Sequence, residues 1–293
     1  MDQLEKSNKD DHMKIGQQLA VAYIRTKFKL WAAVAKKKAA TKAFELFCTP
    51  QFRNVKELPP IFSEAEKLHF KFQEYSIAGY RWRKGAGRRA LIIHGFESSV
   101  INFDKYVNPL LKKGYEVLAF DAPAHGRSSG KRVNAIIFRD FIKFVCQHYG
   151  PVQSFIAHSF GGLAVCMALA ETRHDENYRI ALVAPATETK TAVDHFFQFI
   201  KLDDAEVRKE FEEIITQLSG HPVSWFSIHR TLKKIRAKIL WVHDKDDRTT
   251  PLEDVLKIKE ENHPNIQFVI TRGLGHRRIY RDAKVGKAIV TFL

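Results

Sequence analysis

Short, almost uninterrupted apolar runs recur along the later part of the chain, at residues 90–93, 117–120, 154–156, 180–183, 239–242 and 268–270, with helix-length segments between them. Continuous rather than alternating apolar character means burial on both faces, which predicts strands of a parallel sheet covered by helices. Upstream, after Pro59-Pro60, residues 68–75 and 80–83 read as an antiparallel pair with its turn at Ile77-Ala78-Gly79. Earlier still, Val21, Ile24, Phe28, Trp31 and Ala35 follow one another at three- and four-residue spacing and predict one apolar row of a helix, with Lys14, Arg25, Lys29 and Lys36 on its other side. Lys27, Lys38 and Lys42 blur that separation. Between Glu188 and Arg236 the strand pattern gives way to a polar, helix-prone insertion. Its Phe196, Phe197 and Phe199 suit either an apolar substrate face or ordinary packing, and a charged surface helix is expected over residues 201–218. The expected organisation is a basic helical extension over residues 1–60, then an α/β domain over 61–293 with an insertion at about 188–236.

In sheets of this kind the working residues sit just past the carboxyl ends of the strands. The run ending at His158 passes directly into Ser159 and then into a segment, residues 163–170, that is apolar on every side and so belongs inside the protein. A strand, a serine and a helix joined this tightly expose the serine as a nucleophile and leave room only for small residues two before and two after it. Ala157 and Gly161 stand there, and alanine in place of the usual glycine implies some strain. The other strand ends deliver His94-Gly95-Phe96-Glu97, then Asp121 through Gly126, then His243-Asp244-Lys245-Asp246-Asp247, and last Gly275-His276; only Ala184-Pro185-Ala186 offers no polar group. Each motif is loose alone, and the ordered set is specific.

That set, over about residues 65–293, resembles the α/β-hydrolase family, in which the order is serine, acid, histidine. The resemblance implies the α/β-hydrolase fold: a mostly parallel central sheet flanked by helices, with a short helical lid and here an N-terminal helical extension. It implies Ser159 as nucleophile, His276 as the base that takes its proton, and Asp247 as the carboxylate that orients the imidazole. Asp244 and Asp246 crowd the same loop and compete for that part. It also implies an oxyanion hole made by the backbone N–H groups of Phe96 and Phe160. His94, Gly95, His158 and Gly161 are expected to support the loops, and Asp121 to hydrogen-bond the backbone of residues 122–126. The phrases at residues 43–50, 94–97, 121–126 and 273–279 are similar to a bacterial group of this family with an undefined substrate.

The expected activity is serine-dependent cleavage of a carboxylic ester or thioester through an acyl-enzyme, with no metal and no organic cofactor. Relatives that act as dehalogenases or epoxide hydrolases ordinarily carry aspartate at the position of Ser159. The expected partner is a small acyl ester. The alternative is a noncatalytic member of the fold that binds membrane or nucleic acid through its basic surface.

Charge bears on that alternative. The formal net charge is +15, and no acidic residue occurs from Met13 to Phe44. This stretch fits a helix packed on the protein's own core with a solvated basic face, and, as a second reading, a helix in peripheral contact with anionic lipid. Nucleic acid is disfavoured, since no basic strands interleaved with aromatics are present. Cys48, Cys146 and Cys166 are far apart and form no Cys-x-x-Cys pair, so neither a disulfide framework nor a thiolate metal site is indicated. No apolar run approaches the roughly 18 residues of a membrane span, and the start lacks the order of a secretory signal. A cytoplasmic protein is expected, the second reading placing it at the inner face of the membrane.

Overall fold

The computed structural model describes residues 15–53 and 55–293, so Lys14 and the opening of the basic extension lie outside the described residues. Eight strands are present among the described residues: β1 (Glu66–Phe72), β2 (Tyr75–Trp82), β3 (Arg88–Ile93), β4 (Tyr115–Phe120), β5 (Ser154–His158), β6 (Arg179–Val183), β7 (Lys238–Asp244) and β8 (Ile266–Thr271). They form one sheet in the order β1-β2-β4-β3-β5-β6-β7-β8. Only the β1–β2 and β2–β4 pairings are antiparallel; the remaining five are parallel. Among the same residues, eleven α-helices accompany the sheet: α1 (Ile15–Val34), α2 (Lys36–Phe47), α3 (Asp104–Lys112), α4 (Ala135–Tyr149), α5 (Phe160–Leu169), α6 (Thr189–Ile200), α7 (Ala205–Ser219), α8 (Ile228–Leu232), α9 (Glu253–Glu260), α10 (Gly275–Arg278) and α11 (Ala283–Phe292).

The continuous apolar runs have a direct physical reason. Leu91, Ile93, Phe155, Ala157, Ile180 and Leu182 point into one buried cluster with α4 and α5. Their neighbours Ala90, Ile92, Ile156, Ala181 and Val183 point into a second cluster with α3 and α11. A side-chain period of two therefore leaves no solvent-facing position in the apolar runs at the middle of these strands. Helix α5 is buried from Gly161 through Leu169, which explains why its sequence has no polar face.

Two local expectations are corrected. The first hairpin turns at Gln73-Glu74, where Gln73 takes φ 49°, and Ile77-Ala78-Gly79 lies inside β2. Gly79 is small for a packing reason: it pairs with Phe120 of β4, and a Cβ there would sit 2.0 Å from the Phe120 ring. The apolar row of the N-terminal region is interrupted at Ala35, which adopts φ −153° and ψ 89° and separates α1 from α2. No proline or glycine stands there, so tertiary packing rather than local chemistry sets the break. Beyond it, α2 presents Ala39, Ala40 and Ala43, all fully buried, and these small side chains let it approach α7 closely.

The aromatic residues of the insertion serve mainly as packing. Phe196 and Phe197 meet Phe211 of α7, while Phe44 and Phe47 of α2 meet Phe211 and Phe196 at ring separations of 5.3–5.8 Å. Arg25 Nε donates to Phe199 O at 2.9 Å, and Lys36 pairs with Asp204 at the start of α7. The N-terminal helices thus grip the inserted helices, and Phe28 and Ala32 join the main core. Among the described residues no helix is long and apolar enough to cross a membrane.

Candidate active site

The register of the parallel strands brings their carboxyl ends to one edge, with Ile93 opposite Ala157 and His158 opposite Val183. Ser159 follows directly in the left-handed region at φ 52° and ψ −125°. A serine there costs of order 1–3 kcal/mol and persists only where surroundings hold it. Here they do: its N–H donates to Val183 O at 3.1 Å, and its carbonyl accepts from Gly162 N at 2.9 Å and Ala186 N at 3.0 Å. The apolar segment Ala184-Pro185-Ala186 therefore helps to hold the turn. A Cβ at Gly95 would stand 2.7 Å from Ser159 Cβ, and one at Gly161 would stand 2.4 Å from His94 O. Both glycines are needed for close backbone approach.

The structure brings Ser159, His276 and Asp247 together. His276 Nε2 lies 3.0 Å from Ser159 Oγ, and His276 Nδ1 lies 2.8 Å from Asp247 Oδ2. Asp247 also accepts from Thr249 N at 2.8 Å, Thr250 N at 2.9 Å and Thr250 Oγ1 at 2.9 Å. Burial works against its charge, but the hydrogen bond and charge of His276 together with the Thr250 donors outweigh it and hold the carboxyl below the ordinary range. Thr250, whose Oγ1 also approaches His276 Nδ1 at 3.2 Å, has no signal in the sequence that would single it out.

The neighbouring carboxylates have other work. Asp244 accepts from Thr271 Oγ1 at 2.6 Å, Gly275 N at 3.0 Å and Leu274 N at 3.1 Å, which ties the loop carrying His276 to the end of β7. Asp246 accepts from Gly273 N at 2.8 Å. Asp121 differs from expectation: it accepts from Ser99 Oγ at 2.7 Å, Val100 N at 3.1 Å and Arg127 N at 2.9 Å, so it joins two loops rather than closing residues 122–126 on themselves. Gly126 is forced by the same carboxylate, since a Cβ would fall 2.2 Å from Asp121 Oδ2.

Three buried histidines support this edge as neutral rings. His94 Nδ1–H donates to Gly95 O at 2.7 Å and its Nε2 accepts from Ala122 N at 3.0 Å; burial lowers its pKa to about 4. His125 donates from Nδ1 to Pro123 O and accepts at Nε2 from Glu97 N at 3.1 Å; burial and then the nearby His94 lower its pKa to about 3. His158 Nε2–H donates to the carbonyl of His276 at 3.0 Å, and its ring lies 4.6 Å from that of Tyr280. Burial, then repulsion from His276, keep His158 far below the ordinary value. It is placed to hold the backbone of the residue whose ring faces Ser159.

Phe160 N opens α5, where a first-turn N–H has no intrahelical acceptor and the positive end of the helix dipole faces outward. The Phe96 ring lies 6.0 Å from the Phe160 ring, which puts both segments beside the Ser159 turn. An open cleft of ≈ 440 Å³ lies between α6 and the acid loop, lined by Ala192, His195, Gln198, Arg248 and Thr249. Chemically the arrangement joins a hydroxyl to an imidazole and the imidazole to a carboxylate, the geometry that nucleophilic catalysis requires.

A family model described as the alpha/beta hydrolase fold matches residues 91–211. Among curated proteins, the chain is similar to an uncharacterized hydrolase, YugF, of Bacillus subtilis, at 24% identity over 216 residues, 59% of this chain and 78% of that protein. Among solved structures it is similar to the Pyrococcus furiosus esterase Pf2001, with TM-score 0.62, 23% identity, and coverage of 84% of this chain and 97% of that one. A thioesterase domain from the curacin biosynthetic pathway aligns with TM-score 0.54 at 18% identity, over 78% of this chain and 98% of that one.

Proposed function

Since the chain is a member of the α/β-hydrolase family and a hydrolase by that kinship, we propose that it cleaves a carboxylic ester or thioester through an acyl-enzyme on Ser159. The observation that carries this reading is the unbroken path from Ser159 Oγ through His276 to Asp247, at 3.0 and 2.8 Å. With Asp247 accepting a hydrogen bond from Nδ1–H, Nε2 is left as an acceptor for the hydroxyl proton when the serine attacks the acyl carbon. The imidazolium so formed is stabilised by the Asp247 charge and returns its proton to the departing alkoxide or thiolate. Water then attacks the acyl-enzyme with His276 again as base, and Ser159 is released. Negative charge on the carbonyl oxygen is met by the N–H groups of Phe160 and Phe96, each such donor contributing about a hundred- to thousandfold in rate. The esterase and the thioesterase domain among the similar structures agree with this substrate class.

A fluorophosphonate probe tests the nucleophile. Wild type is expected to label and Ser159→Ala to remain unlabelled, with turnover of a short aryl ester lowered by roughly four to six orders of magnitude. Equal labelling of the two proteins would remove Ser159 from the mechanism.

A further inference from the structure

Helix α1 has a second apolar face. Its inner row, Ile24, Phe28 and Trp31, packs inward, but Leu19, Tyr23, Leu30 and Val34 are 66, 61, 62 and 88% exposed. At 100° per residue these four fall within about 60° of one another on the helical wheel and extend along about 22 Å of its axis. Scattered single exposed apolar residues are unremarkable on a protein surface, but a continuous stripe on one helix is not. Cations rim the stripe: exposed Lys27 flanks it with its Nζ 4.7 Å above the Tyr23 ring, exposed Lys29 lies on the other flank, and exposed Lys37 and Lys38 follow its end. From Met13 to Phe44 the chain has no acidic residue to balance them.

We propose that this outer face of α1 docks on an anionic lipid surface. The apolar stripe is narrow, the flanks are basic, and α1 is not apolar enough to cross a bilayer, which together describe a helix lying in the headgroup boundary. Charge selects lipid over a second copy of this chain: pairing two such faces would bring Lys27 and Lys29 of both copies together with no carboxylate from residues 13–44 of either, whereas anionic headgroups neutralise them. Lysine stems reach along apolar surface while their ammonium ends stay at headgroup level, and Lys27 over Tyr23 already has that arrangement. The inner face of α1 stays on the protein throughout, because Arg25 bonds to Phe199 O of α6 and Phe28 remains in the core. The docked helix would therefore hold α6 next to the lipid. The proposal is independent of the reaction assigned to Ser159.

The experiment is flotation of the full chain with vesicles of phosphatidylcholine alone and of equal parts phosphatidylcholine and phosphatidylglycerol, with sedimentation velocity in parallel. The variants are a quadruple substitution, Leu19→Gln, Tyr23→Gln, Leu30→Gln and Val34→Gln, chosen to keep helix propensity, and a charge set, Lys27→Gln, Lys29→Gln, Lys37→Gln and Lys38→Gln. Unchanged circular dichroism and melting temperature certify that each is folded. Wild type is expected to float only with the anionic vesicles and to be released as salt rises from about 0.05 to about 0.5 M. Each variant is expected to partition at least about tenfold less. Failure of wild type to float at low salt overturns the proposal, as does flotation of the quadruple variant equal to wild type. Dimerisation of wild type that the quadruple variant loses, without flotation of either, identifies a second copy as the occupant and overturns it equally.

Discussion

Replacing Asp247 with asparagine tests the proposed chemistry with little disturbance of the fold. The amide oxygen can keep the two backbone donors that Asp247 Oδ1 now accepts, Thr249 N and Thr250 N. The amide nitrogen takes the place of Oδ2, 2.8 Å from His276 Nδ1, and at that position it can only donate. His276 must then accept at Nδ1 and carry its proton on Nε2, which points at Ser159 Oγ from 3.0 Å. A protonated Nε2 cannot take the hydroxyl proton. The expected loss in kcat is about four orders of magnitude, or about 5.5 kcal/mol of transition-state stabilisation at 1.36 kcal/mol per decade. Turnover of p-nitrophenyl acetate near neutral pH measures it, and a thermal melt close to wild type shows that the substitution is local. Asp246→Asn is the control, since that carboxylate accepts only Gly273 N and an asparagine oxygen can do the same; its turnover should stay within about threefold. The reasoning fails if Asp247→Asn keeps more than about a tenth of wild-type turnover, or if Asp246→Asn proves the worse of the two.

Acid should weaken the protein before its carboxylates titrate. His94 and His125 are held neutral by burial, with pKa values lowered from 6.5 to about 4 and about 3, so the unfolded chain binds protons first and stability is lost as pH falls below 6.5. For His94 alone the displacement from 6.5 to about 4 amounts to about 3 kcal/mol. Urea unfolding midpoints that are flat between pH 7.5 and pH 4.5 would contradict this. Gly95→Ala should lower kcat by about ten- to a hundredfold with a smaller effect on melting, because the new Cβ meets Ser159 Cβ at 2.7 Å and displaces the proposed nucleophile; unchanged kcat in steady-state assays counts against that contact. Phe211→Ala should cost about 3–5 kcal/mol, since the ring is fully buried where α2, α6 and α7 meet. A melt shifted by less than about 1 kcal/mol would place the weight of that junction elsewhere.

The strand pattern is legible in the chain because each central strand contributes to a core on both faces of the sheet, leaving no polar position to interrupt the run. Small residues at fixed offsets single out Ser159, because a tight strand-to-helix turn tolerates few residue types, and the order along the chain, by its resemblance to the family, points to His276 and to one carboxylate among residues 244–247. Only the tertiary structure distinguishes the carboxylates of one loop: Asp244, Asp246 and Asp247 have the same chemistry, and their roles differ because Thr271, Gly273 and His276 arrive from elsewhere in the chain. The break at Ala35, the Gln73-Glu74 turn and the packing of Phe196 on Phe47 likewise depend on partners distant in sequence. The two faces of α1 divide the same way. Spacing shows the residues on each, but which face meets protein and which stays open is decided by where α6 lies, and no local propensity encodes that.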